Sequence, residues 1–339
     1  MYFVPLIGDR YQIGFQHGRR LRTLIHYAVR RRCRSYRKQR PDTLSLQKQA
    51  REIEVAFPKL MEEMRGIAHG SNIPLDDILL YNLSPVPSAC SNVVFVGDDG
   101  PMLGHVNDDA EGTFDVAFYV RPDDGLEFLH VGDAGGVGTS AAVNSGGLAM
   151  SHAAARGTAE RCDSCLNLRL LRRLLAEQSS SCEEARLFLS KHSYWSGADN
   201  IICADRHGYA LVAEKLPRLV AFRDPQGSGI YCTGRPLTAE IRNAMNQDAY
   251  EAAEPPEMAR LIGREKHFAS VLARPKTELS FTLMERALQN TDDGVEVCNE
   301  FSTWAAILLP SSFEMWIAGI VPDQDTFKRV GRGNRLRVI

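Results

Sequence analysis

The order of its elements predicts an α+β protein: two mostly antiparallel β-sheets flanked by helices, a four-layer αββα sandwich with a helical N-terminal segment. Three observations carry this. Apolar residues recur at three- and four-residue spacing between about residues 11 and 80, the period of an amphipathic helix. From Cys90 onward the pattern changes to short apolar, β-branched runs separated by glycine and aspartate turns, as paired strands require. Two helical blocks then interrupt the strands before the chain closes on apolar runs at 304–309 and 314–318.

Taken in order, Leu21, Leu24, Ile25, Ala28 and Val29 alternate with arginines at helical spacing up to about residue 40. Pro41 ends that helix, and Asp42-Thr43 supplies the N-cap of the next. The second helix carries Leu46, Ala50, Ile53, Phe57, Leu60, Met64 and Ile67, with a kink expected at Pro58. Gly66, Gly70 and Asn72 break it, and a short helix follows from Pro74 through Leu80. Pro85 and Pro87 straighten the chain into Cys90. The run 93–96 turns at Gly97-Asp98-Asp99-Gly100 into 102–106, a hairpin. Further strands are expected at 116–120, 126–131, 141–143 and 148–152, then helices at 165–176 and 182–191. Strands return at 200–204, 209–214, 219–222 and 230–232, followed by helices at 237–245, 257–272 and 281–288. Residues 1–89 and 90–339 are read as parts of one structural unit, a helical N-terminal segment and the sandwich.

With 339 residues, 44% hydrophobic and 24% charged, the composition is that of a globular protein. No stretch approaches the roughly 18–20 apolar residues of a membrane helix, and the start of the chain lacks the pattern of a secretory signal. A cytoplasmic enzyme with reduced thiols is the expectation for its eight scattered cysteines. The lone Cys162-Asp-Ser-Cys165 has no second pair at zinc-ribbon spacing, so no metal is expected. Residues 19–40 hold ten arginines and lysines and no acid in a chain of net charge −2. That run is either a solvated helix face or a docking surface for something anionic, a coenzyme phosphate or an acidic carrier protein, centred on Arg30, Arg31 and Arg34. Nucleic acid is not the expected partner, because the rest of the chain is acidic and only Tyr27 and Tyr36 interleave the basic run.

The chemistry converges on Ser88-Ala89-Cys90-Ser91-Asn92, one cysteine after a small residue at the head of a strand. A free cysteine is most often a buried hydrophobe; as a nucleophile it needs positioned partners. The ordered motifs around it are Tyr11-Gln-Ile13-Gly14-Phe-Gln16-His17-Gly18, Glu62-Glu63-Met64-Arg65-Gly66-Ile67-Ala68-His-Gly70, and Leu75-Asp76-Asp77-Ile78-Leu79-Leu80-Tyr-Asn82. After Cys90 come Gly104-His-Val-Asn107-Asp-Asp109, Asn144-Ser-Gly146-Gly147-Leu148, and a strand–turn–strand from Asn200 through Asp205 and Gly208 to Glu214. This set resembles, nearly end to end, the acyl-coenzyme A:6-aminopenicillanic acid acyltransferase family, cysteine members of the N-terminal-nucleophile hydrolases.

The resemblance implies a precursor that cuts its own Ala89–Cys90 bond through an N-to-S acyl shift and hydrolysis of the thioester. Cys90 then owns both nucleophile and base, because its freed α-amine, with an ordinary pKa of about 7.7–8.0, accepts the thiol proton. The acyl group of an amide or thioester passes to water or an amine, and no cofactor is implied. In the family pattern Asn107 and Asp109 sit beside the nucleophile, Asp109 holding the α-ammonium. Asn144 lies where a backbone N–H helps bind the oxyanion, a kind of contact worth about 10²–10³ in rate. The pattern departs at Gly234, where the family has an asparagine; a backbone N–H, Arg235 or Asn200 is expected to substitute. Ser302-Thr303-Trp304 replaces a Ser/Thr-rich strand, and Asp108 an aromatic. Two other readings stand beside this one. An uncut enzyme would pair Cys90 with His105 (with Asp108 or Asp109) or with His152. A non-catalytic relative would bind a partner in the old cleft or on the basic helix. A homo-oligomer is a further expectation, with a small-molecule acyl donor, acyl-CoA or an acyl carrier protein as partner.

Overall fold

A computed structural model describes residues 1–39, 43–84, 88–109, 114–155, 167–192, 195, 197–245, 255–319 and 324–330. The Cys162–Cys165 pair, Pro85, Pro87 and Arg40 lie outside these. Its strands are β1 (Tyr2–Gly8), β2 (Ser88–Gly97), β3 (Gly100–Asp109), β4 (Asp115–Pro122), β5 (Phe128–Asp133), β6 (Ala141–Asn144) and β7 (Leu148–Ala154). They continue with β8 (Asp199–Asp205), β9 (Ala210–Leu216), β10 (Leu219–Arg223), β11 (Gly229–Cys232), β12 (Ser302–Leu309), β13 (Glu314–Gly319) and β14 (Lys328–Val330). The helices are α1 (Arg10–Arg20), α2 (Arg22–Gln39), α3 (Thr43–Ala56), α4 (Pro58–Ser71) and α5 (Leu75–Leu83). After β7 come α6 (Leu168–Gln178) and α7 (Cys182–Lys191), and after β11 come α8 (Ala239–Ala244), α9 (Pro255–Leu272) and α10 (Phe281–Leu288).

The strands form two sheets, β1-β4-β5-β6-β7-β8-β9-β10 and β11-β2-β3-β12-β13-β14. All neighbours are antiparallel except β1 and β4, which run parallel. The expected αββα sandwich is what forms, because both sheets are apolar on both faces. Val94, Leu103, Val143, Val212 and Leu308 fill the space between the sheets. Val93, Phe95, Phe268, Leu288 and Ile307 join the second sheet to α9 and α10. Ile13, Ile67, Phe118, Leu171, Leu175 and Ile201 join the first sheet to the helices of the other side. Val93, Val94 and Phe95 are fully buried in alternate layers, which is why β2 reads as an unbroken apolar run. Burying each such side chain contributes about 1.5–3 kcal/mol.

The N-terminal segment is built into this frame, and two sequence expectations need correction there. It is not wholly helical: β1 adds an edge strand to the first sheet, paired with β4 from Tyr2–Val116 to Gly8–Pro122. Its Pro5 fits because an edge strand tolerates a missing donor. Pro58 does not kink one helix but starts α4, with Phe57 separating it from α3. The glycine motifs are the two halves of one contact. A Cβ on Gly14 would stand 2.0 Å from Glu63 O, and one on Gly18 2.4 Å from Ile67 O. Gly66 and Gly70 meet Tyr11 O and Phe15 O at 2.2 and 2.3 Å in the same way. Only glycine lets α1 and α4 cross backbone to backbone. Arg10, Glu63, Arg173 and Glu177, all buried, join both helices to α6: Arg10 Nη1 lies 2.7 Å from Glu177 Oε1 and Arg173 Nη2 2.8 Å from Glu63 Oε2.

Candidate active site

Cys90 is the third residue of β2 and stands opposite Asn107 of β3. The pleat sends Cys90, Asn92 and Val94 to the inter-sheet side, and Ser91, Val93 and Phe95 to the helices. The ladder continues upstream through Ala89–Asp108 and Ser88–Asp109, so the Ala89–Cys90 peptide is held extended against β3. The Cys90 thiol is fully buried and lies 3.7 Å from Asn107 Oδ1. The Asn107 amide is oriented from its other end, where Nδ2 donates to Thr303 Oγ1 at 2.9 Å. Burial, and next the negative charge of Asp108, push the thiol well above its ordinary range. In the intact chain Cys90 is therefore a neutral thiol at cellular pH.

Around it runs a buried polar cluster inside an otherwise apolar sandwich. Asn92 Oδ1 accepts from Ser151 Oγ at 2.6 Å and from His105 Nδ1 at 2.7 Å, while its Nδ2 donates to the His152 carbonyl at 2.9 Å. His152 Nδ1 lies 2.9 Å from Asp199 Oδ1 and from Arg172 Nη1, and Arg172 also pairs with Asp199 Oδ2. Burial and the Arg172 charge push His152 down, so it is neutral near pH 7 and Arg172 is the counter-charge of Asp199. Burial works to raise the Asp199 carboxyl, but His152, Arg172 and their hydrogen bonds bring it to about 2.

The expected site residues divide. Cys90 and Asn107 meet. The backbone of Ala89 and Asp109 is in the ladder beside them, and their side chains lie outside the described residues. Gly234 is carried to the same end, because the β11–β2 ladder closes at Cys232–Asn92 and leads on toward Cys90. A Cβ on Gly234 would press to 3.0 Å from the Ala154 carbonyl, so a larger residue there needs a neighbour to give. Asn200 donates to the Thr233 carbonyl at 2.7 Å, and its Oδ1 has no partner among the described residues. Arg235 is drawn away by Glu265 of α9, with Nε 2.9 Å from Oε1. The Asn144 side chain is held at the end of the first sheet, against α6. Its Nδ2 donates to the Ala176 and Ser179 carbonyls at the end of α6 at 2.8 and 2.7 Å, and its Oδ1 accepts from Leu148 N. It sits at the Leu148 end of β7, whereas Asn92 beside Cys90 reaches Ser151 and His152. Asp108 faces the helices, where it takes Arg264 Nη1 at 3.0 Å, Asn299 at 3.1 Å and Ser302 Oγ at 2.6 Å.

Sequence reasoning missed Asn92, Ser151, Arg172, Asp199 and Thr303. Asn92 carried a local signal, an amide at an inward position of an apolar strand. Arg172 and Asp199 lie far apart in sequence and announce nothing until the fold joins them.

Two sheets packed face to face between helices, with Cys90 near the start of an inner strand, form the αββα sandwich expected of an N-terminal-nucleophile hydrolase. The family model of acyl-coenzyme A:6-aminopenicillanic acid acyl-transferase matches residues 95–254. The chain thus carries that family's pattern over a stretch that begins just past Cys90 and includes Asn107, Asn144, Asn200 and Gly234, which bears out the resemblance. No curated protein matches. Among solved structures, an orthologue of N-acylethanolamine-hydrolyzing acid amidase from Caenorhabditis elegans is similar at 14% identity and a TM-score of 0.44, over 66% of this chain and 93% of that one. Penicillin V acylase from Agrobacterium tumefaciens is similar at 12% identity and 0.43, over 68% and 83%. A variant of conjugated bile acid hydrolase from Clostridium perfringens is similar at 11% and 0.41, over 74% and 99%. Among the described residues no helix is long and apolar enough to cross a membrane.

Proposed function

We propose that this chain is a self-processing acyltransferase or amidohydrolase whose nucleophile is Cys90. One observation carries the reading: a thiol at the head of an inner strand, with Asn107 Oδ1 on its sulfur side and the Ala89–Cys90 peptide held extended beside it. The acyltransferase family match supports the reaction class. In the intact chain the nitrogen of Cys90 is an amide and cannot serve as a base. Once the bond before it is cut, that nitrogen becomes an α-amine within reach of its own thiol. Ser88 and Ala89 leave the ladder and uncover the site. A substrate amide or thioester carbonyl then takes the position of the Ala89 carbonyl, forms an acyl-enzyme on Sγ, and yields to water or an amine. Asp109 is proposed to hold the α-ammonium. With Arg235 engaged elsewhere, backbone N–H groups near Gly234, aided by Asn200, are proposed to receive the oxyanion.

Intact mass of the purified protein tests this directly. Fragments 1–89 and 90–339 are expected in denaturant, and they travel together under native conditions because β1 belongs to the first sheet. Cys90→Ala is expected to leave one uncut, inactive chain, and Cys90→Ser a slowly cut one. An uncut Cys90→Ala chain with full activity would sink the proposal.

The acyl donor is proposed to be a coenzyme A thioester or an acylated carrier protein that meets α2 at Arg30, Arg31 and Arg34, which are exposed. Other arginines of the run serve the fold: Arg20 donates to Pro5 O, Arg22 to Ser71 O and Arg32 to Ser84 O, at 2.6, 3.0 and 2.6 Å. Reversing the charge of Arg30 and Arg34 is expected to raise KM several-fold at low salt and flatten its salt dependence. An unchanged KM would return α2 to a solvated face.

A further inference from the structure

We propose that His105 takes the Cys90 thiol proton in the uncut chain and so starts the self-cleavage; this rests on the self-processing reading above. Before the cut there is no α-amine, yet the neutral, buried thiol must lose its proton to attack. The groups facing it are few. Asp108 points to the helix side and is held by Arg264, and Asp199 is paired with Arg172. His152 presents its Nδ1 to that same pair. His105 is different. Its Nδ1 lies 2.7 Å from Asn92 Oδ1, an acceptor, so Nδ1 carries the hydrogen and Nε2 the lone pair. That Nε2 is fully buried and has no hydrogen-bond partner among the described residues.

Register sets the residue that bears this nitrogen beside Cys90. Cys90 pairs with Asn107 and Asn92 with His105, so Cys90 and His105 are diagonal neighbours on one face. Such Cα atoms lie about 7–8 Å apart, within reach of a ring. The imidazolium would keep its Nδ1 bond to Asn92 Oδ1. The charged and titratable groups turned toward it are His152 of β7, Arg172 of α6 and, behind them, Asp199 of β8. Burial, then His152 and Arg172, hold the imidazole well below its ordinary range, so it is neutral and able to accept.

The step balances. The S–H bond breaks as Nε2–H forms, and the thiolate attacks the Ala89 carbonyl carbon. As the C–N bond breaks, the imidazolium returns its proton to the Cys90 nitrogen. Water then cleaves the thioester, giving the Ala89 carboxylate and a free thiol.

The test is the rate of cleavage of the full chain after release from denaturant, followed by intact mass across pH. The wild-type rate is expected to be flat from about pH 6 to 8.5 and to fall in acid. His105→Gln should be slower by about 10²-fold or more, with a rate that now climbs tenfold per pH unit. Added imidazole should partly restore His105→Ala. A His105→Gln chain with the wild-type rate and profile overturns the role of His105 and leaves self-processing standing. So does a wild-type rate that climbs tenfold per pH unit throughout, which decides the matter even where the variants misfold. A wild-type chain that never leaves a single mass overturns both.

Discussion

Asn107 and Asp108 are neighbours in sequence and opposites in role, because successive residues of a strand face opposite layers. Asn107 Oδ1 addresses the Cys90 thiol only while Nδ2 is held by Thr303. Thr303→Val keeps the shape and removes that anchor, so cleavage and turnover should each slow about tenfold, the worth of one net hydrogen bond. Asn107→Ala should slow both further, and urea unfolding should move by no more than about 1 kcal/mol in either case. Asp108→Ala, one position along, should do the reverse. It strands the buried Arg264 and is expected to cost about 3–5 kcal/mol of stability. A Thr303→Val chain that cleaves at the wild-type rate would remove Thr303 from the account.

At the scale of elements, the crossing of α1 and α4 is the most demanding contact, since each of four glycines faces a backbone atom of the other helix within 2.4 Å of where its Cβ would be. Gly66→Ala must push the helices apart, and it is expected to destabilise by about 1–3 kcal/mol or more, as overpacking does; denaturant unfolding in a Cys90→Ala background measures it. The same contact shows what could be read beforehand. Gly14, Gly18, Gly66 and Gly70 were visible as spaced glycines within two motifs, but that they face one another is a tertiary fact. Hairpins such as β2–β3 were legible because turn chemistry and alternation are local. β1 was not, because its partner lies more than a hundred residues away and its pairing is parallel. The side chain of Asn144 closes the end of α6, a partner its motif did not announce; the group expected at the oxyanion was its backbone N–H. Motif order conveys the fold without naming the partners of each side chain.

At the scale of the whole molecule, four histidines are buried and neutral among the described residues. His17 lies at 2% exposure, its Nε2 accepting from Gly135 N at 2.9 Å, and burial followed by the Arg173 charge pushes it down to about 3. Burial likewise lowers His105, His130 and His152. In the unfolded chain each titrates near its ordinary value of about 6.5. Above that pH neither state is protonated, and the stability tied to these rings is complete. As pH falls below it, the unfolded chain binds protons that the native chain refuses, and stability drops by about 1.4 kcal/mol per histidine for each pH unit. Four such rings would remove about 5 kcal/mol per unit, comparable with the total stability of many domains. The Cys90→Ala chain is therefore expected to show a constant urea midpoint between pH 7 and 8.5 and a steep loss below pH 6. Asp199, held at about 2, should keep its pair with Arg172 throughout that range, so the loss belongs to the histidines. His17→Gln can still accept from Gly135 and does not titrate; it should lower the slope by about one proton. A stability profile that stays level down to pH 4 would show that these rings are protonated in the fold, and would withdraw the neutral His105 on which the cleavage step depends.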